Sequence, residues 1–312
     1  MLTTLKKILS AAERGKYAVG AFNINNLEIL QAVIEAATEE KSPVIVQTSE
    51  GAIDYAGMDY LYAMVCVAAK ARVPVAFHLD HGKDLTVVKQ AINSGYTSVM
   101  YDGSVLPYRE NVANTKRVVR WARAKGVSVE AEIGAISGVE DFVHVSEKQA
   151  FFTDPDEALK FWLETGCDAL AISIGTAHGP NKFKAEAELD IPRLRKIHQL
   201  VQVPLVLHGA SEINQAMVER TKEKCNLLSD CDRLAKAKGV PDSEIRKAIK
   251  AGIRKINIDS DLRIAFTAGI REAIINNKTT IDPRKLMGPA KKYMKDTVRA
   301  RMALFGSRRK VR

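Results

Sequence analysis

A chain of 312 residues can bury a large core, and α/β barrels of about this size form single domains, so one domain over residues 1–312 is expected. The formal charge of +10 raises nucleic-acid binding, but Lys and Arg are interleaved with Glu along helix-like segments and only 6% of residues are aromatic, which excludes a basic face with stacking platforms. With no run of about 18 uncharged apolar residues, no signal-like N-terminus and no metal-knuckle spacing among Cys66, Cys167, Cys225 and Cys231, a soluble cytoplasmic protein with reduced thiols is expected.

In chain order, strand-like runs alternate with helix-like ones. YAVGAFNI precedes LEILQAVIEAATEE, SPVIVQTS precedes MDYLYAMVCVAAKAR, and VPVAFHLD precedes DLTVVKQAINSG. SVMYDG comes before ENVANTKRVVRWARAKG, then VSVEAEIG, DALAISIG and VPLVLHG, and finally RKINIDS before DLRIAFTAGIREAIINN. Eight strand candidates in β-then-α order predict a (βα)8 TIM barrel, because parallel strands need crossover helices and eight of them fill their own interior. A doubly wound open sheet is the alternative, and no G-x-G-x-x-G fingerprint supports it. A decorated loop at about 212–242 and a C-terminal helical extension from about residue 278 complete the plan, the extension being a candidate subunit contact. Arg308, Arg309 and Lys310 read as a frayed tail.

Three histidines, each beside a glycine, follow apolar runs: His81 in VPVAFHLDHG, His178 in ALAISIGTAHG and His208 in VPLVLHGAS. At the carboxyl ends of barrel strands they would meet at the active-site face, and three neutral nitrogens with an open position suit a catalytic metal. Asp80, adjacent to His81, is a candidate general acid or base, or else a helix cap. His78 reads as a packed interior residue. Asp102 and Glu132 also end strands and would serve a second metal position, an outer shell around the imidazoles, or a salt bridge. Gly209-Ala210-Ser211 and Asn257-Ile258-Asp259-Ser260 follow the seventh and eighth strands, where barrels commonly bind phosphate through backbone N–H groups.

VPVAFHLDHG, SVMYDGS, VEAEIG with GVED, GTAHG, VPLVLHGAS and INIDSDLRIAF, in this order over nearly the whole chain, resemble the class II, zinc-dependent fructose-bisphosphate aldolases. The resemblance implies a lyase of central carbon metabolism that reversibly cleaves fructose 1,6-bisphosphate to dihydroxyacetone phosphate and glyceraldehyde 3-phosphate through a zinc-stabilised enediolate. It implies His81, His178 and His208 as zinc ligands, Asp80 as the proton-transferring aspartate, and Asp102 and Glu132 as carboxylates near alternative or outer metal positions. Gly179, Gly209, Ala210, Ser211 and the Asn257–Ser260 segment fall on the pocket for the dihydroxyacetone phosphate half. Ser49 matches a substrate-side hydroxyl, Glu140 a glutamate that shuttles the carbon proton, and Lys182 a loop lysine that responds to substrate.

Asp259 and Arg263 look like the fructose-type pattern, as against the related tagatose-bisphosphate aldolases. Asp282 and Arg284 match a distal-phosphate contact supplied by a neighbouring subunit, which implies a homodimer or homotetramer; a surface ion pair is the other reading of Arg284. Another divalent ion in place of zinc, and an accessory monovalent cation, are compatible with the family. Two departures stand out: Ser137-Gly138 replaces the commoner paired glycines, and Pro180-Asn181 precedes Lys182. A catalytically silent barrel used as a binding protein is the alternative from another class, and it is disfavoured by the joint presence of the three histidines and Asp80.

Overall fold

The computed structural model describes residues 1–140, 143–145, 151–178, 187–211 and 239–311, with the backbone alone described at 137–140, 143–145 and 178. Eight parallel strands close into a barrel: β1 (Val19–Asn23), β2 (Val44–Thr48), β3 (Val75–Gly82), β4 (Ser98–Tyr101), β5 (Ser128–Ile133), β8 (Ala169–Ile172), β10 (Leu205–Leu207) and β11 (Ile253–Ile258). Spatial neighbours follow chain order, and β1 pairs with β11 to seal the ring, so the expected TIM barrel is present and an open sheet is excluded. Three short strands, β6 (Ser137–Glu140), β7 (Val143–Val145) and β9 (Ala177–His178), form a separate sheet in the order β7-β6-β9. Ser137-Gly138, where paired glycines are commoner, opens β6; the β6–β7 backbone is an antiparallel hairpin with β9 added in parallel.

Helices wrap the barrel: α1 (Leu5–Gly15), α2 (Leu27–Glu39), α3 (Glu50–Ala56), α4 (Met58–Ala68), α5 (Leu85–Asn93) and α6 (Tyr108–Arg123). They continue with α7 (Pro155–Thr165), α8 (Ile191–Leu200), α9 (Asp242–Ala251), α10 (Ser260–Asn276) and α11 (Pro283–Phe305). Side chains alternate between the barrel interior and the helix layer, so a run buried on both faces is apolar throughout. Val19, Ala21, Ile45, Ala76, Met100 and Val206 form an inner cluster with Leu5, Ile8, Leu9 and Ala12 of α1, which thereby closes the amino-terminal end of the barrel. Apolar residues at positions 5, 8, 9 and 12 have helical spacing, and the Thr4 hydroxyl accepts from Lys7 N–H to cap the helix.

Asp242, at the expected end of the decorated segment, opens α9; residues 212–238, including Cys225 and Cys231, lie outside the described residues. The C-terminal extension is α11, which packs along α10 and α2. A Cβ on Gly269 would sit 2.4 Å from the Ala290 backbone, so the α10–α11 crossing is a backbone-to-backbone approach that requires glycine. Arg301 of α11 is buried and ties Asp261 (3.1 Å) and Asp242 (2.9 Å) together.

The tail after α11 is not frayed. Arg308 and Arg299 both pair with the buried Glu40, Arg309 N–H donates to the Glu40 carbonyl at 2.8 Å, and Lys310 lies over the Tyr17 ring. A run of three basic residues looks solvated in one dimension because its acidic partner comes from the distant α2 end. Burial pushes the Glu40 carboxyl up, but the Arg299 and Arg308 hydrogen bonds outweigh it and the net shift is downward. The clasp therefore contributes stability above the ordinary glutamate range and loses it as pH falls through that range. Glu40→Gln should lower the unfolding free energy by about 1.5–3 kcal/mol, as for hydrogen bonds to charged groups, and should remove this acid dependence in melts between neutral and acid pH. An unchanged acid profile would show that the clasp carries no stability.

Candidate active site

Along the strands the inward-facing residues change from apolar to polar. Beyond the inner cluster come His78, Glu130 and Lys255, then Asn23, Gln47, Asp80, Glu132, His208 and Asn257, all buried. Asp80 and His81 are adjacent, so in a regular strand their side chains would diverge. At His81 the backbone takes a left-handed conformation (φ 47°), and the β3–β4 register shifts between Leu79 and Gly82. This local break brings both side chains to the carboxyl-terminal mouth. Glu50 Oε1 holds the turn that follows by accepting from the Lys83 and Asp84 N–H groups at 2.8 and 2.9 Å. Asp84 caps α5, so the capping alternative for Asp80 falls away.

Amide donors fix both oxygens of Asp80. Asn257 donates to Oδ1 at 3.0 Å, while Asn23 and Gln47 donate to Oδ2 at 3.0 Å each. His81 Nδ1 lies 2.9 Å from Asp102 Oδ2, and Asp102 Oδ1 accepts from the Ser104 N–H and hydroxyl. His208 Nε2 lies 2.8 Å from Glu130 Oε1, and His208 Nδ1 lies 2.8 Å from His81 Nε2. Each imidazole thus turns one nitrogen to a carboxylate and the other to the shared centre, the outer-shell arrangement of metal-binding histidines.

The donor chemistry fits a cation. Ligand atoms of Asp80, His81 and His208 lie within 4.8 Å of one another, as do those of His81, Asp102 and Glu132. Glu132 Oε2 is buried without a hydrogen-bond partner among the described residues. Burial, then the nearby Asp102 charge, pushes the Glu132 carboxyl well above its usual range. Burial alone would lower the His81 imidazole, but the Asp80 charge and the Asp102 hydrogen bond raise it to about 10. Despite burial, the His81 hydrogen bond holds Asp102 well below the usual carboxylate range. Excess negative charge in a water-poor site is what a divalent ion offsets.

Strand β8 ends at Ile172, so His178 does not terminate a barrel strand as expected; it lies in β9, beyond a turn at Gly175 (φ 109°). Glu140 falls in the adjoining β6, of which only the backbone is described, and Gly179 and Lys182 lie outside the described residues. Gly209, Ala210 and Ser211 directly follow His208; Gly209 has φ 63°, and a Cβ there would meet the Ala177 carbonyl at 2.5 Å. Asn257, Ile258, Asp259 and Ser260 are buried where β11 passes into α10. Asp259 makes no cap hydrogen bond and pairs instead with Arg263 at 2.8 Å. Ser49 caps α3 through the Ala52 N–H. Arg263 lines a cavity of about 500 Å³ with Asn25, Asn26, Gly51 and Tyr55, between the carboxyl ends of β1, β2 and β11. Arg284 is exposed and paired with Asp282 at 2.9 Å, the surface arrangement that was its other reading.

Asn23, Gln47 and Glu130 touch the candidate residues, Lys255 touches Glu130 and His78, and all four were missed by motif reading. The signal was available: each lies on an apolar strand run, and Glu130 and Lys255 stand two residues before Glu132 and Asn257, on the same face.

Fold and donor set together define a (βα)8 enzyme with a metal-dependent chemistry at the carboxyl-terminal mouth. The chain belongs to the class II fructose-bisphosphate aldolase family, whose sequence pattern matches residues 3–310. It is 49% identical to the fructose-bisphosphate aldolase of Thermus caldophilus over 98% of this chain and 99% of that one. The Helicobacter pylori (strain ATCC 700392 / 26695) fructose-bisphosphate aldolase is 43% identical over the full length of both. Among solved structures, the YdjI aldolase from Escherichia coli K12 superposes with a TM-score of 0.79 at 32% identity, covering 100% of both chains.

In metal-free protein, the stability contributed by the raised His81 is complete below its ordinary value of 6.5 and is lost as pH rises through about 10. Asp102→Asn removes one opposite charge and should lower the His81 midpoint by about 1–3 pH units in an NMR titration of the metal-free protein. An unmoved midpoint would mean that Asp102 does not govern this imidazole.

Proposed function

We propose that this chain catalyses reversible aldol cleavage of fructose 1,6-bisphosphate. The observation that carries the reading is the convergence of Asp80, His81 and His208 at one point of the barrel mouth, with Asp102 and Glu132 beside them. His81, His208 and His178 would hold the metal, with Asp102 and Glu132 near it, and Zn2+ is our choice of ion. Bound there, a divalent cation supplies Lewis acidity to the ketose oxygens and offsets the negative charge developed at the cleaved carbon.

The protein's own groups account for the rest. Asp80, clamped by Asn23, Gln47 and Asn257, accepts the C4 hydroxyl proton as the C3–C4 bond breaks. The C4–O electrons close the aldehyde carbonyl and the bond pair remains on C3, to be protonated on our reading by Glu140. In the condensation direction the same protons move back. Gly179, Gly209, Ala210, Ser211 and residues 257–260 would bind the dihydroxyacetone phosphate end through close backbone N–H groups. Lys182 would approach the bound substrate. Arg263 lines the cavity that we assign to the remaining sugar phosphate, and Ser49 would offer a substrate-side hydroxyl. We read the whole chain as one domain acting in the cytoplasm as a homodimer or homotetramer, with the exposed Arg284 of one subunit serving the distal phosphate of another. No helix among the described residues is long and apolar enough to cross a membrane.

Cleavage of fructose and tagatose 1,6-bisphosphate, before and after chelation and zinc restoration, tests this reading. Fructose cleavage should vanish on chelation and return with zinc, and should exceed tagatose cleavage; the opposite preference would transfer the Asp259–Arg263 pair to the C4 epimer. Asp80→Ala should lower kcat by about 10²–10⁴-fold with zinc content retained, the range for losing a general acid or base. Wild-type turnover in that variant would remove Asp80 from the proton transfer.

A further inference from the structure

Beneath the mouth, the barrel interior holds an ion pair with no access to solvent. Lys255 and Glu130 are both fully buried, and Lys255 Nζ lies 2.9 Å from Glu130 Oε2 and 3.2 Å from Oε1. Its remaining neighbour is His78 Nε2, at 3.5 Å, and His78 Nδ1 is 2.8 Å from the Ser98 hydroxyl. Burial and the Lys255 charge push the His78 imidazole well below its usual value, so it is a neutral acceptor toward the lysine. Lys255 is the only lysine buried among the described residues. Burying such a pair costs desolvation that hydrophobic packing would avoid, so the pair is weak evidence of a stabilising role.

We infer that Lys255 is a positioning residue that sets the tautomer of His208 by orienting Glu130. This rests on reading His208 as a metal ligand. Lys255 Nζ donates to Glu130 Oε1 and stands 2.9 Å from Oε2, which holds Glu130 so that Oε1 also faces His208 Nε2 at 2.8 Å. A carboxylate oxygen there accepts, which places the ring proton on Nε2 and leaves the Nδ1 lone pair toward His81 Nε2 and the Asn257 amide. Lys255 thus acts on the centre through two intermediaries and without touching it.

In Glu130→Gln an oxygen at the Oε1 position can accept from both Lys255 (3.2 Å) and His208 Nε2 (2.8 Å), while the NH2 group at the Oε2 position faces the neutral His78 Nε2 (3.5 Å). Lys255 therefore selects the amide rotamer that keeps the ring proton on Nε2. Adding Lys255→Met removes that selection, so the NH2 group can turn to His208 Nε2 and the proton can move to Nδ1, where it blocks the metal. The second substitution should therefore weaken zinc binding that the first left intact.

The test is zinc affinity by chelator competition, at a temperature where every metal-free variant is folded, with His208 tautomer read from ¹⁵N NMR of the metal-free proteins. Glu130→Gln should bind zinc about as tightly as the wild type with the His208 proton on Nε2, whereas Glu130→Gln/Lys255→Met should bind about 10–100-fold more weakly, the range for outer-shell partners, with that proton shifted to Nδ1. If Glu130→Gln does not fold, Lys255→Met is compared with the wild type and should show the same loss and the same shift. Equal affinity and an unmoved tautomer within the pair that folds overturn the inference. His208→Ala separates the two levels: weakened zinc binding there together with equal affinities in the pair rejects Lys255 alone, whereas unchanged binding rejects His208 as a ligand and the inference with it.

Discussion

Everything at the mouth of this barrel depends on one electrostatic constraint: several carboxylates share a small volume from which water is nearly excluded. Asp80, Asp102, Glu130 and Glu132 are all buried, and unpaired charges in such a place are costly. Each is managed differently. Neutral amides hold Asp80, an imidazole holds Asp102, and a lysine holds Glu130, while Glu132 keeps a buried oxygen without a hydrogen-bond partner. The unequal treatment prepares unequal roles, because a group clamped by amides keeps its geometry as a proton comes and goes, whereas a group without a partner presses for a cation.

The scaffold earns its stability elsewhere. Polar residues occupy the upper interior, and the apolar lower interior is sealed by α1 and wrapped by helices that bury their own faces against the outer sides of the strands. The C-terminal helix and the tail clasp on Glu40 add a second layer over α2 and α10. Separating a rigid apolar floor from a strained polar rim lets the left-handed backbone at His81 persist, since the surrounding ladder over-determines it.

Much of this was legible in the sequence because parallel strands buried on both faces leave uninterrupted apolar runs. The ends of those runs hold Asp80, His81, Asp102, Glu132, His208 and Asn257, which the fold gathers at one mouth. The same rule misplaced His178, since ALAISIGTAHG stays apolar past Ile172 although barrel pairing stops there; Ile174 and Ala177 are buried although they lie outside the barrel strands. Glu130 and Lys255 escaped notice because charges inside a strand run look like exceptions to an apolar pattern, when alternation places them on the same face as the candidate ligands. The tail clasp was illegible because its partner, Glu40, is remote in sequence, and the α1 helix was overlooked although its cap and apolar spacing were both present.

The plug formed by α1 closes the floor of the vessel, with Leu5 and Leu9 filling that end. On our reading of the function, sugar, product and metal ion would then share the rim at the other end. Traffic at that rim is shared: a molecule lodged in it to react also stands between the ion and anything that would carry the ion away.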